Sequence, residues 1–184
     1  FPWRDQPHPF AQRSLASSDG SIVFRSPATG PLHTLVADHV VQGRVVFPGA
    51  AYLEMARAVH AASADDGTGA AALRRTYFLQ PLALDGAAAG QWVECELGGD
   101  VGRFEVRSGE VGGGTSATER AVHCSGTAEA DGAYGVAAWG AEPSWARAVR
   151  CARASEVHQL YDGFHAGGLQ YGPGFRALLE AWPA

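Results

Sequence analysis

The chain has 184 residues, the size of one domain or of one domain and part of another. With 46% hydrophobic and 18% charged residues it can bury a core, which argues against wholesale disorder. The net charge of -5 argues against a nucleic-acid partner held by a basic face. No apolar run approaches the roughly 18 residues of a membrane span.

Residue usage narrows the possible chemistry. All 14 basic residues are arginine and asparagine is absent, which excludes a P-loop lysine, a Schiff-base lysine and an Asn-linked glycan. Cys95, Cys124 and Cys151 lack C-x-x-C spacing and are expected to be reduced, mostly buried thiols of a cytoplasmic protein, without a zinc site. No signal peptide is evident, and the ends at Phe1 and Ala184 suggest a piece of a longer polypeptide.

The first half of the chain predicts one strand and one buried helix. Residues 1–20 look irregular, and residues 21–25 (SIVFR) predict a short strand. Residues 50–62 predict a helix whose polar stripe, Glu54, Arg57 and His60, is narrow. Because most of its circumference is apolar, this helix should be largely wrapped by other structure.

Four strands are expected next, over residues 74–84 (broken by Pro81), 91–97, 103–107 and 120–130. Within 91–97, the apolar side chains at 93, 95 and 97 should share one face and Glu94 and Glu96 the other. Turns rich in Gly and Asp separate these strands, as an antiparallel sheet requires. The fold class is therefore α+β, with a sheet curled around the helix.

The last third is organised differently. Residues 131–154 are rich in Ala and Gly and look like a linker. Ser155 could cap a short helix with apolar residues at 157, 160, 161 and 164, which Gly167 would end. Residues 169–175 (LQYGPGF) predict a sharp turn.

His39 is the main candidate for chemistry. It begins the pattern H-x3-G-x4-P-G, which continues through Gly43, Pro48 and Gly49 into the predicted helix. Pro48 suits the first turn of a helix, and Gly49 lets a ligand approach its backbone N–H closely. N–H groups at a helix start favour a developing negative oxygen, and a histidine beside them is a plausible general base.

Residues 38–49 resemble the active-site motif of the dehydratase domains of modular polyketide synthases, and more distantly that of fatty-acid dehydratases. Residues 1–4 (FPWR) are similar to the linker after the acyltransferase domain in those synthases. Residues 8–10 (HPF) are similar to the family's opening His-Pro segment. Residues 168–175 (GLQYGPGF) are similar to its second motif, G-Y-x-Y-G-P-x-F, with Leu169 in place of the first tyrosine.

This resemblance implies a hot-dog fold, a curved antiparallel sheet around a central helix, as the first unit of a double hot-dog. It divides the chain into a linker and entry segment (1–20), a first unit (21–130), an inter-unit linker (131–154) and an incomplete second unit (155–184). The family's catalytic histidine corresponds to His39. Its aspartate, on the central helix of the second unit, matches no residue here, since Asp162 precedes the second motif.

The implied reaction is loss of water from a 3-hydroxyacyl thioester carried on the phosphopantetheine of an acyl carrier protein, with no other cofactor and no metal. Gly49, Tyr171 and Gly172 are expected to contact the substrate, and Gly43, Pro48 and Pro173 to shape the turns around it. Neighbouring synthase domains and a second copy of the chain are expected partners. Without the aspartate, the 184 residues alone should have little or no activity.

Other interpretations remain open. The chain could be another hot-dog acyl-thioester enzyme, such as a thioesterase or cyclisation domain, or a degenerate dehydratase kept as a structural module. His39 could be a core histidine satisfied by backbone, and Tyr171 could simply pack at a turn. His123 and Cys124 are discounted as a catalytic pair because neighbours in a strand point to opposite faces. Residues 74–75 (RR) suggest a solvated turn.

Overall fold

The computed structural model describes residues 8–17, 19–63, 71–84, 90–98, 102–110, 120–130 and 156–181. Its strands are β1 (Arg13–Leu15), β2 (Ile22–Pro27), β3 (Val40–Val41), β4 (Arg44–Val45), β5 (Ala71–Phe78), β6 (Gln91–Gly98), β7 (Arg103–Glu110) and β8 (Ala121–Ala130). Its helices are α1 (Pro31–Val36), α2 (Gly49–Ser63) and α3 (Val157–Ala166), followed by a 3-10 turn, Pro173–Phe175.

Six of these strands form one antiparallel sheet in the order β1-β2-β6-β7-β8-β5. One row of its inner face runs directly across four strands through Phe24, Cys95, Val106 and Cys124. All four side chains are buried. Because successive residues of a strand point to opposite faces, these four positions identify the face of the sheet that meets the helix.

The helix α2 packs on this inner face of the sheet. Its buried side chains recur on one side of the helix, and they are Ala51, Tyr52, Met55, Ala56 and Val59. The helix contacts β2, β5, β6, β7 and β8, so the sheet curls around it. Each large apolar side chain buried here stabilises the fold by about 1.5–3 kcal/mol. The predicted narrow polar stripe is confirmed, because Glu54 and Arg57 are exposed on the far side.

The alternation predicted for β6 is also confirmed, but its outer face is less open than the sequence suggested. Glu94 lies on the opposite face of β6 from Val93 and Cys95, and it is nevertheless only 1% exposed. Its carboxylate accepts hydrogen bonds from Arg25 at 2.7 and 3.0 Å, and the Arg25 guanidinium lies 3.9 Å from the centre of the Trp92 ring. A buried carboxylate needs such a partner because an unpaired charge in this position is very costly.

Three local predictions differ from the structure. The strand expected over 74–84 runs instead over Ala71–Phe78, since Pro81 cannot donate to a ladder. Residues 74–75 are exposed, as expected, but they form no turn: they lie in β5 at a bulge where Arg75 has φ 50°, and Arg74 pairs with Glu129 at 3.2 Å. The sequence reading also missed α1, which has only six residues and buries Leu32 and Val36 one turn apart.

The end of the described chain packs onto the first part of it. In α3 only some of the predicted apolar positions are buried, since Tyr161 is buried but Phe164 remains 36% exposed.

Residues 1–4, Ser155, Cys151 and the linker 131–154 lie outside the described residues. Cys95 and Cys124 are free and buried, as expected. None of the described helices is long and apolar enough to cross a membrane.

Candidate active site

A tight hairpin places His39 shortly before the start of α2. Strands β3 and β4 pair with each other, and the two turn residues, Gln42 and Gly43, have φ values of 51° and 76°. This left-handed backbone suits Gly43, which has no side chain to clash. Beyond the turn, the Val46 N–H donates to the His39 carbonyl at 3.1 Å and closes the hairpin.

The hairpin is anchored to the core by the segment that follows β5. The Phe47 N–H donates to the Leu82 carbonyl, and the Leu84 N–H donates to the Val45 carbonyl, each at 2.8 Å. Phe47, Leu82 and Leu84 are all buried. The backbone on one side of His39 is therefore held by apolar burial as well as by hydrogen bonds.

The His39 ring is held in one tautomer. Its Nδ1 lies 2.7 Å from the Val46 carbonyl oxygen. Because a carbonyl oxygen only accepts, Nδ1 carries the proton and Nε2 of the neutral ring keeps its lone pair. Within the described residues no hydrogen bond to Nε2 is found, and His39 is partly exposed. This is the arrangement that a general base requires.

Two aromatic rings flank the His39 imidazole. The Tyr171 ring stacks on it with centroids 5.4 Å apart and an interplanar angle of 25°. The Phe175 ring lies 5.1 Å away at 51°. Aromatic contacts of this kind restrict the orientation of the imidazole.

Both rings are carried by residues 168–175. The first part of this segment pairs through its backbone with residues 38–42, which are distant in the sequence. The Gln42 N–H donates to the Gly168 carbonyl at 2.6 Å, the Gln170 N–H to the Val40 carbonyl at 2.7 Å, and the Gly172 N–H to the Asp38 carbonyl at 2.8 Å. Residues 168–172 thus extend the β3–β4 hairpin as a third, antiparallel segment. The Gln170 side chain adds a bond, because its Oε1 accepts from the Gly43 N–H at 2.7 Å.

The start of α2 lies three residues beyond Val46. Pro48 is buried and directly precedes the helix, where its carbonyl accepts from the Ala51 N–H at 2.9 Å. Gly49 is the first helical residue and is exposed. The first N–H groups of a helix have no acceptor within it, so the Gly49 N–H is a candidate donor to a ligand.

The structure therefore brings most of the sequence-predicted residues together. His39, Gly43, Tyr171 and Gly172 belong to one contact set, Pro173 opens the 3-10 turn next to it, and Gly49 stands at the adjoining helix start. Sequence reasoning missed Asp38 and Phe175 as part of the site. Their only signals were the position of Asp38 next to His39 and that of Phe175 at the end of GLQYGPGF.

A second histidine, His123, is also held on a carbonyl, but it is buried. Its Nδ1 lies 3.2 Å from the Gln80 carbonyl oxygen and its Nε2 lies 2.7 Å from Ser108 Oγ. The expectation that His123 and Cys124 point to opposite faces is wrong. The β7–β8 register shifts between Val106 and Arg107, which leaves His123 unpaired at a bulge, and both residues are buried. Burial raises the pKa of Cys124 to about 11, which disfavours the thiolate form that a nucleophile needs.

The remaining histidines form no recognisable site in the described part of the chain. His8 lies 3.4 Å from Glu54 and His158 lies 3.6 Å from Glu156. No group of three or more His, Cys, Asp or Glu side chains among the described residues is placed to hold a metal ion.

The polyketide synthase dehydratase domain model matches residues 8–109, a stretch that includes the whole His39 motif. The chain belongs to this family. Polyketide synthase ThaG of Burkholderia thailandensis is 35% identical over 150 residues, which cover 80% of this chain and 3% of that protein. Erythronolide synthase EryA2 of Saccharopolyspora erythraea is 30% identical over 172 residues, covering 89% of this chain and 4% of that protein.

Solved dehydratase domains of such synthases share the fold. The erythromycin dehydratase superimposes with a TM-score of 0.69 at 25% identity, covering 98% of this chain and 64% of that one. The dehydratase domain from the CurK module of curacin polyketide synthase gives 0.75 at 21% identity, covering 96% and 60%. The α+β hot-dog fold expected from the sequence is thus confirmed. The chain spans about three fifths of these domains and a few per cent of the curated synthases.

Proposed function

We propose that this dehydratase-family chain supplies the base for removing water from a 3-hydroxyacyl thioester, giving an enoyl thioester. The observation that carries the proposal is the His39 ring, whose Nδ1 is held on Val46 while its Nε2 has no hydrogen-bond partner among the described residues, beside two aromatic rings. A fixed tautomer with an available lone pair is what proton abstraction next to a thioester carbonyl needs.

The proposed reaction uses two positions of the chain. Nε2 of His39 takes the proton from the carbon next to the carbonyl, and that C–H electron pair becomes the new double bond. The Gly49 N–H at the start of α2 accommodates the negative charge that develops on the thioester oxygen. The hydroxyl on the next carbon leaves as water once an acid protonates it. Tyr171 and Gly172 border the base and contact the substrate.

The acid is proposed to lie outside the 184 residues. Inactive mutants of the CurK dehydratase replace either a histidine or an aspartate, so that enzyme depends on both residue types. We assign His39 to the role of the first. Neither Asp38 nor Asp162 matches the second, because Asp38 is already bonded to Gly174 and Asp162 precedes the second motif. We therefore expect the 184-residue chain alone to have little or no activity.

The proposal extends to the setting of the reaction. The related proteins are multidomain synthases of which this chain spans a few per cent, so neighbouring synthase domains are expected around it. The substrate is proposed to arrive on the phosphopantetheine of an acyl carrier protein, with no further cofactor. A homodimeric, cytoplasmic synthase is the proposed context.

The test is a dehydration assay with a 3-hydroxyacyl thioester. Three proteins are compared: the chain together with the residues that follow it in its gene (about 100–120, the size of a second domain-half), the same protein with His39→Ala, and the 184-residue chain. Enoyl product from the first that collapses in His39→Ala is expected. Activity that survives His39→Ala would refute the role of the histidine.

Two other outcomes would redirect the proposal. Release of free acid from the thioester would indicate a hot-dog thioesterase. A folded but inactive extended protein would indicate a cyclisation domain or a degenerate dehydratase that serves as a structural module.

A further inference from the structure

Asp38 precedes His39 and accepts two hydrogen bonds from the segment that carries the Tyr171 and Phe175 rings. Its carboxylate Oδ2 accepts a hydrogen bond from the Gly174 N–H at 2.7 Å. Its backbone carbonyl accepts from the Gly172 N–H at 2.8 Å. One residue therefore holds the 172–174 backbone at two points, and the side-chain bond is of the strong, charge-assisted kind.

The two glycines of this turn are fitted to the Asp38 side chain. Gly172 has φ -77° and ψ 178°, a backbone that any residue adopts, so conformational freedom does not explain its presence. A Cβ at position 172 would lie 2.5 Å from Asp38 Cγ, and one at position 174 would lie 3.1 Å from Oδ2. Gly172 is therefore required by the closeness of Asp38.

The turn that Asp38 holds contains both rings that contact His39. Tyr171 comes directly before the first bonded glycine and Phe175 directly after the second. If the turn moves away, both rings move with it and the imidazole loses both aromatic contacts. A misplacement of a catalytic group by about 1 Å can lower a rate by roughly 10²-fold. Loss of the contact between Asp38 and the turn should therefore have a measurable effect on kcat.

We propose that Asp38 is a positioning residue: its carboxylate holds the Gly172–Gly174 turn so that Tyr171 and Phe175 confine the His39 ring in its reactive orientation. The effect on rate rests on the proposed function, whereas the effect on the ring does not. Asp38 touches neither the substrate nor the His39 ring nitrogens in this proposal. Its loss should therefore lower kcat, and KM should change only as far as Tyr171 and Gly172, which the proposed function places at the substrate, move with the turn.

The experiment compares Asp38→Ala and Asp38→Asn in the chain extended by the residues that follow it. Proton NMR of the His39 imidazole, identified by its loss in His39→Gln, reports the ring-current shifts produced by Tyr171 and Phe175. Asp38→Ala should move these signals toward unstacked values and lower kcat by about 10²-fold. Asp38→Asn keeps an oxygen for the Gly174 N–H and should stay close to the wild type in both measurements.

Asp162→Ala serves as the matched control, because it removes an exposed carboxylate from the helix before the turn. It should change neither the NMR signals nor kcat. Unchanged His39 signals in Asp38→Ala would overturn the proposal, as would an Asn variant as impaired as the Ala variant. If the wild type lacks dehydratase activity, the proposed function fails, but the NMR comparison still tests the positioning role.

If Asp38→Ala is poorly folded, Gly172→Ala with Asp38 intact tests the same contact by itself, and where both variants fold the two form a double-mutant cycle. Gly172→Ala should disturb the His39 signals strongly when Asp38 is present, because the new methyl group collides with its carboxylate. In the Asp38→Ala background the same change should add less, since the carboxylate is gone and only the Cβ of residue 38, 2.9 Å from the new methyl group, remains. Additive effects on the His39 signals would contradict a direct fit between the two residues.

Discussion

The imidazoles of His39 and His123 make the same two kinds of contact, one to a backbone carbonyl and one to a tyrosine ring, but they differ in exposure. In each, the imidazole Nδ1 faces a backbone carbonyl, Val46 at 2.7 Å or Gln80 at 3.2 Å. In each, the ring lies near a tyrosine ring, with centroids 5.4 Å apart at Tyr171 and 6.1 Å apart at Tyr52. Neither the tautomer nor the aromatic neighbour therefore distinguishes a candidate base from a structural histidine.

The difference lies in the second ring nitrogen and in access. His123 is 3% exposed and its Nε2 accepts from the Ser108 hydroxyl, so its hydrogen-bonding capacity is used within the core. His39 is partly exposed, and its Nε2 has no such partner among the described residues. Burial also lowers the pKa of His123, although bonds to the backbone of Gln80 and Pro81 oppose this. What sets His39 apart as the candidate base is therefore an unused nitrogen on a partly exposed ring.

The largest expected effect separates the two histidines by activity. His39→Gln in the extended chain should lower kcat by about 10²–10⁴-fold, the usual contribution of a general base, with little change in stability. His123→Gln should lower the free energy of unfolding but leave kcat of the folded protein nearly unchanged. Steady-state kinetics at a temperature where both variants are folded checks this. Equal losses of kcat would remove the distinction.

The next effect concerns the partner of His123. Ser108→Ala removes the hydroxyl that donates to Nε2 and leaves a buried acceptor unsatisfied, which should cost about 1–3 kcal/mol of unfolding free energy. Denaturant titration measures this loss. Ser125→Ala, on the neighbouring strand β8 but only half-buried, is the control and should change much less. If both variants lose the same stability, the hydrogen bond is unimportant.

The pH dependence of stability should sharpen the contrast further. The folded protein keeps His123 neutral at pH values where the unfolded chain, with an ordinary histidine pKa of about 6.5, binds a proton. Stability should therefore fall as the pH falls through about 6.5, by at most roughly 1.4 kcal/mol per pH unit from this group. Unfolding at about pH 7.5 and about pH 5.5 should show a smaller difference in His123→Gln. An identical difference in that variant would contradict the role of His123.

The smallest effect concerns the ring stacked on His39. Tyr171→Ala should weaken the attachment of residues 168–172 by about 0.5–1.5 kcal/mol, whereas Tyr171→Phe keeps the ring and should lose little. Hydrogen exchange of the Gln170 and Gly172 amides, which donate across the pairing, measures this. Tyr77→Ala changes a tyrosine that is 61% exposed and should leave these amides unaffected. Faster exchange in both alanine variants would mean that the stacking is not specific.

Local patterns predicted much of the fold. Alternation of apolar residues predicted strands β6 and β7 and the inner face at positions 93, 95 and 97, and the narrow polar stripe predicted the wrapped helix α2. Alternation failed where the backbone departs from a regular strand. The bulges at Arg75 and His123 break the period of two, and nothing in the residue types announces them.

The sequence by itself determined the candidate site residues, because side-chain identity and local spacing are sufficient to single out the motif of His39, Gly43, Pro48 and Gly49. Only the tertiary structure decided how residues 168–175 pack against residues 38–43. The bond between Asp38 and Gly174 joins residues 136 positions apart, and that between Gly43 and Gln170 joins residues 127 apart. Most of this pairing is made by backbone groups, which every residue except proline possesses, so side-chain patterns cannot encode its register.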